Sequence, residues 1–200
     1  MIDLFHTIIA RLEPGTHHII QFISARPDEG SPVIIRELAR VISAKIGKSV
    51  LLLDINTPPS QLTAFKLTNK CDLQQAMTKQ DQLDNAIARV ANSSLHVCRL
   101  TNGNDSTTIV NTPEFRNTLT KLSDRFDLIL IDSPPAANTA TGLTIAPYIN
   151  GTVIVVKAAS TRWQVVDSLQ KRILKYGGKI PGVILNERHD YIPAAIYKRL

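Results

Sequence analysis

The segment HIIQFISARPDEGSP, residues 18–32, decides the fold of this chain. Its first part, His18 to Ile23, is mostly apolar and predicts a strand buried on both faces. A polar loop from Ser24 to Pro32 follows, and apolar residues then recur at helical spacing from Val33 to Ile46. Gly47 is well placed to end that helix. A strand, a loop and a helix in this order predict the first unit of a parallel α/β sheet.

The same alternation continues along the chain. Ser49 to Leu53 and Phe126 to Ile131 are apolar strands that run into Asp54 and Asp132. Further strands are predicted at 95–100, 152–156 and 183–185, and helices at 2–12, 113–123 and 165–176, with two or three short helices within 60–90 and a polar loop at 101–112. The pattern predicts an α/β fold, a mostly parallel central sheet with helices on both faces in a Rossmann-like three-layer arrangement.

Length and composition agree with that fold. The 200 residues are 44% hydrophobic and 20% charged, which supplies a core and excludes a mostly disordered chain. We find no internal repeat or linker, so residues 1–200 are predicted to form a single domain. The N-terminus lacks a basic segment followed by an apolar run, and the apolar stretches are of strand length. These features predict a cytoplasmic protein that reaches a membrane only through a partner or a charged surface.

The charge is concentrated towards the C-terminus. From Arg162 onwards there are eight Lys or Arg against three Asp or Glu, which accounts for +5 of the net charge of +6. This basic C-terminal end indicates an acidic partner, an anionic membrane surface or nucleic acid, or else a solvated face that keeps the protein soluble. No interleaving of aromatic and basic residues is present, so a nucleic-acid partner is not expected.

Three strand ends carry the candidate site. The loop from Ala25 to Pro32 lies between a strand and a helix, where backbone N–H groups and a helix N-terminus favour an anion. Asp54 and Asp132 follow two strands, and acids at such positions can hold Mg²⁺. Ligands of open parallel sheets bind at this edge. The same two acids have an alternative structural role, in which each caps a neighbouring loop or helix.

Seven motifs together carry a family resemblance: ARPDEG (25–30), VLLLD (50–54), CDL (71–73), FDLILIDSPP (126–135), IAP (145–147), VIVVK (153–157) and GVILN (182–186). With them the chain resembles the cytoplasmic kinase domain of bacterial tyrosine kinases of the polysaccharide co-polymerase system. This family lies within the P-loop NTPase group that includes Min-type and Par-type ATPases. The resemblance implies an ATP- and Mg²⁺-dependent domain on the cytoplasmic side of the inner membrane, with an inner-membrane co-polymerase or export protein as partner.

The chain departs from the family in the phosphate-binding loop. The family has Gly, Lys and Ser or Thr where Asp28, Ser31 and Pro32 stand. The lysine neutralises phosphate oxygens and the hydroxyl ligates Mg²⁺, and neither group is present here. Asp28 and its neighbour Glu29 add negative charge where a polyphosphate would lie, which opposes nucleotide binding. We therefore expect no cofactor, with ATP or ADP and Mg²⁺ as the alternative.

Other family positions are also altered. The second motif retains only the first of its two acids, Asp54, and Thr141 replaces an acid after the third motif. Arg26 and Lys48 are the cations that an active enzyme would have to recruit in place of the missing lysine. Asp132 remains, so Asp54 and Asp132 are the catalytic and metal-binding candidates if the protein is active.

The resemblance assigns further residues. Gly30, Ser31 and Asn186 are the cofactor-binding candidates, with Asn186 beside the adenine base in the family; a turn-forming asparagine is the alternative. Tyr191 and Tyr197 are what remains of the C-terminal phosphoacceptor cluster, unless they pack in an amphipathic tail. The family assembles rings through an N-terminal helix with an acid and two arginines, which implies a homo-oligomer. Of these three, only an acid remains here, at residue 3.

Three functions follow from these residues. The first is a non-catalytic, pseudokinase-like scaffold or regulator in bacterial exopolysaccharide biosynthesis or export, which docks on the membrane partner. The second is an active protein-tyrosine autokinase or ATPase with a substituted loop. The third is a relative of partition-type, DNA-associated ATPases. The loop 25–32 and the motif that ends in Ser133-Pro134-Pro135 favour the first two functions over the third.

Overall fold

The computed structural model describes residues 1–15, 17–56, 60–78, 82–101 and 106–187. The strands are β1 (His18–Ser24), β2 (Val50–Asp54), β3 (Ile87–Arg89), β4 (Leu95–Arg99), β5 (Leu128–Asp132), β6 (Gly151–Lys157) and β7 (Gly182–Asn186). The α-helices are α1 (Ile2–Ile9), α2 (Ser31–Val41), α3 (Gln61–Ala64), α4 (Leu73–Thr78), α5 (Leu83–Ala86), α6 (Ser106–Val110), α7 (Pro113–Ser123), α8 (Thr141–Ile145) and α9 (Trp163–Lys175).

The seven strands form one sheet in the order β3-β4-β2-β5-β1-β6-β7. Every pairing is parallel except that of β3 with β4. The central strands are buried along their whole length, because helices cover both faces of the sheet. The predicted α/β fold with a mostly parallel sheet is confirmed.

Side chains that alternate along β1 divide the core into two layers. Ile20 and Phe22 face α1 and α2, where they pack with Ile35 and Leu38. On the other face, the central strands pack against α4 and α7, and the β6 side packs against α8 and α9. This alternation is the period of two that a strand imposes on its side chains. The outcome is the three-layer arrangement expected from the sequence.

Several helix boundaries in the structure differ from the predicted ones. The helix expected from Val33 begins two residues earlier, at Ser31, because Pro32 fits the first helical turn, where no N–H is needed. It ends at Val41, and a π-helical turn (Ile42–Ile46) leads to Gly47, which takes the left-handed conformation with φ +74°. The predicted stop at Gly47 is therefore confirmed. The first helix is shorter than predicted and ends at Ile9.

One prediction is wrong in part, and two elements were missed. The polar loop predicted at 101–112 contains a helix, α6, because Ile109 and Val110 are buried and anchor it to the core. The antiparallel edge strand β3 and the short helix α8 were not predicted. The prediction of two or three short helices within 60–90 is confirmed, and the side chain of Asp72 caps α4 by accepting the backbone N–H of Gln75 at 2.9 Å.

Candidate functional site

A cleft of about 710 Å³ opens at the carboxyl end of the sheet, beside the loop 25–32. The described residues that line it include the loop from Pro27 to Pro32, the start of α2 and the segment that follows β5. Asn56, Ser60 and Gln61 close the side that faces β2. The structure thus brings the predicted loop to the sheet edge at which ligands of this architecture bind.

The loop makes its sharpest turn at Gly30, with φ +87°. Asn186, at the end of β7, donates a hydrogen bond from its side-chain nitrogen to the carbonyl of Glu29 at 3.0 Å. The same nitrogen would clash with a Cβ at position 30, so any larger residue here would have to displace the side chain of Asn186. Gly30 and Asn186 were predicted as cofactor-binding residues, and in the structure they hold the loop against β7.

Glu29 is the buried acid of the loop 25–32. Its residue surface is 2% exposed. One carboxylate oxygen accepts the backbone N–H of Arg26 at 2.8 Å, and the other accepts the hydroxyl of Thr161. A phosphate-binding loop offers such N–H groups to its anion. Here the chain's own carboxylate takes one of them, while Asp28 is exposed at the rim of the cleft with φ +62°.

Asp54 and Asp132 lie side by side, because β2 and β5 pair in register at these residues. Each is 1% exposed. The two carboxylate oxygens of Asp54 accept the backbone N–H groups of Asn56 at 3.0 Å and Gln61 at 2.7 Å. This geometry matches the capping role that the sequence offered as the alternative to metal binding, since both oxygens bind the turn after β2.

Gln61 is a site residue that the sequence analysis missed. Its side-chain nitrogen donates to Asp132 at 2.6 Å and to the backbone carbonyl of Pro32 at 2.9 Å. Its side-chain oxygen accepts a hydrogen bond from Arg36 at 3.3 Å. The amide of Gln61 therefore bridges the third motif and the first turn of α2. A lone glutamine after a proline-containing loop has no sequence pattern that would have revealed this role.

Burial dominates the electrostatics of the two acids. Loss of solvent, together with the smaller effect of the neighbouring carboxyl of Asp54, raises the pKa of Asp132 to about 8. Burial also raises the pKa of Asp54, against the two backbone hydrogen bonds that lower it. At neutral pH, Asp132 is thus largely protonated. Its second oxygen and the hydroxyl of Ser31 are buried without a hydrogen-bond partner in the described structure.

The cations of the cleft differ from those that the sequence suggested. Arg36 and Lys157 line it, whereas neither Arg26 nor Lys48 is among its described lining residues. Arg36 is bound to Gln61, and Lys157 forms an ion pair of 2.7 Å with Glu187. Both cations of the cleft that we can place thus already have a partner within the chain.

Other candidates lie away from the cleft or outside the described residues. Thr141 is fully buried, and its hydroxyl lies 2.6 Å from that of Thr107 and 2.8 Å from that of Thr139. Asp3 is exposed on α1. The predicted phosphoacceptors Tyr191 and Tyr197 lie outside the described residues.

Within the described ranges, no group of three or more His, Cys, Asp or Glu residues is arranged to hold a metal ion. Among the helices that the structure describes, none combines the length and the apolar character needed to cross a bilayer.

Comparison with curated proteins gives the relatives of this chain. It is 25% identical over 178 residues to the tyrosine-protein kinase Ptk of Acinetobacter johnsonii, covering 88% of this chain and 24% of that protein. It is 25% identical over 171 residues to the tyrosine-protein kinase YwqD of Bacillus subtilis, covering 84% of this chain and 71% of the relative. The chain is homologous to bacterial tyrosine kinases. It spans about a quarter of the length of the Acinetobacter relative.

Solved structures support the fold. The chimerical protein CapA2B2 superposes with a TM-score of 0.82 at 21% identity, over 94% of this chain and 83% of that one. The kinase domain of the Escherichia coli tyrosine kinase ETK gives 0.79 at 20% identity, over 91% and 73%. A ParA family ATPase from Chlorobium tepidum gives 0.63 at 18% identity, over 86% and 85%. At these identities the likeness shows the fold alone. No protein-family model matches the chain.

Proposed function

We propose that this protein is a non-catalytic, pseudokinase-like scaffold or regulator in the biosynthesis or export of a bacterial exopolysaccharide. One observation carries the proposal: the amide of Gln61 bridges Asp132 and the carbonyl of Pro32, at the point where a kinase of this fold would need a metal ion. The chain has kept the architecture of a nucleotide-binding domain and uses its polar groups to bind each other.

The loop 25–32, where a phosphate would bind, supports the same proposal. Glu29 places a buried carboxylate on the N–H of Arg26, and a phosphate approaching the loop would meet that negative charge. A phosphate group must displace Glu29 or share the N–H with it, and both alternatives cost free energy. Lys157 is neutralised by its ion pair with Glu187, which leaves Arg36, hydrogen-bonded to the neutral amide of Gln61, as the described cation of the cleft that could offset this cost.

The donor set fits a magnesium ion poorly. Mg²⁺ takes oxygen ligands and prefers ionised carboxylates. Asp132 is held largely protonated by burial, which raises its pKa to about 8, and one of its oxygens already accepts an N–H of Gln61. Pro32 contributes no hydroxyl. If Mg²⁺ bound here, Asp54 and Asp132 would hold it, after Gln61 had moved away.

The resemblance to bacterial tyrosine kinases supports the proposed setting. In this proposal the protein is a single cytoplasmic domain at the periphery of the inner membrane. It docks on a co-polymerase or export protein, and it contacts the bilayer itself only through its basic C-terminal end. Self-association of this chain is part of the same proposal, and neither DNA nor RNA is a partner.

A second candidate function is an active protein-tyrosine autokinase. Two buried polar atoms favour it: the second carboxyl oxygen of Asp132 and the hydroxyl of Ser31 lack hydrogen-bond partners in the described structure. Such atoms are usually satisfied by water or a ligand. The names of the relatives point to the same activity.

Calorimetric titration with ATP and Mg²⁺, followed by detection of phosphotyrosine on the incubated protein, separates the two candidates. The scaffold proposal predicts no saturable heat and no phosphotyrosine. Micromolar affinity together with self-phosphorylation that Asp132→Asn abolishes would overturn it and establish the autokinase. Binding of the nucleotide without phosphotyrosine would leave a non-catalytic protein but refute the claim that the cleft is closed to nucleotide.

A further inference from the structure

A second concave surface, the α9 groove, lies on the other side of the loop 25–32. It consists of a pocket of about 320 Å³ and an adjoining depression of about 680 Å³, which share Arg26, Gln164 and Val165. One wall is the first half of α9, and the other is formed by Ala25, Arg26 and the segment after β5. None of its described lining residues belongs to the cleft described above.

Three arginines give the α9 groove its charge. Arg26 borders both parts, Arg162 lies at the outer depression, and Arg172 lies at the inner pocket. All three are exposed, and no Asp or Glu is found among the described lining residues. Within the described ranges, their side chains form no ion pair or hydrogen bond. Nearby Lys171, by contrast, pairs with Asp167 at 2.7 Å.

The floor of the groove is apolar, and alanines form part of it. Ala25, Ala136 and Leu169 are buried beneath it, and Val165 is half-buried. The backbone of this floor is fixed, because the N–H groups of residues 136 and 137 donate to the carbonyls of residues 24 and 25 at 2.9 and 3.1 Å. A fixed floor of alanines lets another backbone approach closely, while the arginines at the rim meet its side chains.

The separation of the arginines predicts the spacing of the anionic groups on a matching ligand. Arg162 is the N-cap residue of α9 and Arg172 lies ten residues later in the helix, which corresponds to about 15 Å along the helix axis. An extended peptide rises about 3.3 Å per residue. Two anionic side chains four or five positions apart along such a peptide would therefore reach the two ends of the groove. Arg26 lies between these ends and can meet an anion or a carbonyl.

We infer that the α9 groove binds an extended peptide of a partner protein that carries two anionic side chains four or five residues apart. Guanidinium groups recognise carboxylate and phosphate through paired hydrogen bonds, so aspartate, glutamate and phosphorylated residues share this chemistry. A concave groove suits a peptide better than a flat bilayer. The inference rests on the proposed function in one respect, because a scaffold needs a partner. It does not depend on nucleotide binding, because the groove is separate from the cleft.

A labelled peptide tests this inference directly. The probe is a rhodamine-labelled alanine and serine peptide of about a dozen residues with two glutamates about five positions apart, matched to the span of the groove. A second arm carries phosphotyrosine at both positions and distinguishes the two sources of charge, and a third carries glutamine. Fluorescence anisotropy measures binding to the full chain, and Trp163, which is 70% exposed beside Arg162, gives an independent signal.

We expect one or both anionic peptides to bind and the glutamine peptide not to bind. Arg26→Ala, Arg162→Ala and Arg172→Ala should each weaken binding about tenfold. The control Lys121→Ala removes an equal charge from α7 and should change binding less than about twofold. Binding should also weaken as salt is raised, because the contacts are ionic.

Three outcomes would overturn the inference. The first is equal binding of the charged and the glutamine peptide, and the second is an equal loss in the Lys121 control. The third is binding only to anionic vesicles or DNA, offered in parallel. These outcomes leave the scaffold proposal standing, because that proposal is judged by nucleotide titration. Conversely, ATP binding with self-phosphorylation would refute the scaffold proposal and leave the peptide result unchanged.

Discussion

The cleft and the α9 groove lie on opposite sides of one loop, and they differ in the burial and bonding of their ionisable side chains. On the cleft side, Glu29 and Asp132 are buried and bonded to the chain itself. On the groove side, Arg26 and Arg172 are exposed, with no partner in the described ranges. Groups that find partners within the chain contribute to the fold, whereas exposed cations without partners remain available to a ligand. The comparison assigns ligand binding to the groove and contacts within the chain to the cleft.

The largest effect should come from Asp132→Asn. The pKa of this carboxyl is about 8 in the folded protein, above the ordinary value of 3.8. Between these two values the folded state retains a proton that the unfolded state releases, so the free energy of unfolding falls as pH rises, by up to about 1.4 kcal/mol per pH unit. Asparagine removes that slope. At pH 8 the variant should be more stable by on the order of 3–5 kcal/mol in urea denaturation.

Asp127→Asn is a control for which the effect on the free energy of unfolding should have the opposite sign. Hydrogen bonds from the backbone N–H and the hydroxyl of Ser49, at 2.7 and 2.9 Å, lower the pKa of Asp127. The stability that this carboxylate contributes is present above its unfolded pKa and is lost as pH falls through its lowered folded pKa. The variant should thus be less stable at neutral pH and equal to wild type in acid. A flat pH profile in wild type would contradict the account of Asp132.

The next effect should come from Gln61→Leu. Leucine fills similar space and leaves Asp132, the carbonyl of Pro32 and the guanidinium of Arg36 without their hydrogen bonds. We expect a loss of about 2–4 kcal/mol in the free energy of unfolding, because buried groups lose their partners. Gln164→Leu makes the same change in the α9 groove and should cost less than about 0.5 kcal/mol. Equal losses would erase the difference between the two regions.

Gly30→Ala tests how tightly the loop is held. The side chain would add strain at φ +87° and push the nitrogen of Asn186 away from the carbonyl of Glu29. We expect a cost of about 1–3 kcal/mol by thermal denaturation. Gly47→Ala shares the positive φ but has nothing within 4 Å, so it should show the backbone cost alone. If both cost the same, Asn186 does not clamp the loop.

The smallest effect on stability should come from Arg172→Ala. The side chain is exposed and has no partner in the described ranges, so its removal should change the free energy of unfolding by less than about 0.5 kcal/mol. Denaturant titration at two salt concentrations measures it. A loss above about 1 kcal/mol would mean that Arg172 is part of the fold and is not available for binding.

The sequence predicts the sheet well because its strands are buried on both faces. Apolar runs such as Leu128–Asp132 and Val50–Asp54 leave few alternatives to a central parallel strand. The prediction of a polar loop at 101–112 failed in part. The helix α6 is short and is anchored by the burial of Ile109 and Val110, and its sequence shows no helical spacing of apolar residues. Tertiary packing decides such a segment, and no local pattern shows it.

The candidate site was predictable in position but not in its contacts. Gly30, Asp54 and Asp132 lie at the edge of the sheet, as their positions after strands predict. Gln61 and Thr161 were not found, because each meets its partner through the fold: Gln61 reaches Asp132 across 71 residues, and Thr161 reaches Glu29 across 132. Only three-dimensional packing brings such residues together.

We propose that the chain's own side chains occupy the positions where phosphate and metal would bind. A crystal structure grown with Mg²⁺ and a non-hydrolysable ATP analogue tests it most directly. We predict that Glu29 stays on the N–H of Arg26, that Gln61 still bridges Asp132 and Pro32, and that the cleft holds no nucleotide. A triphosphate wrapped by the loop around Gly30, with a metal ion between Asp54 and Asp132, would contradict the account.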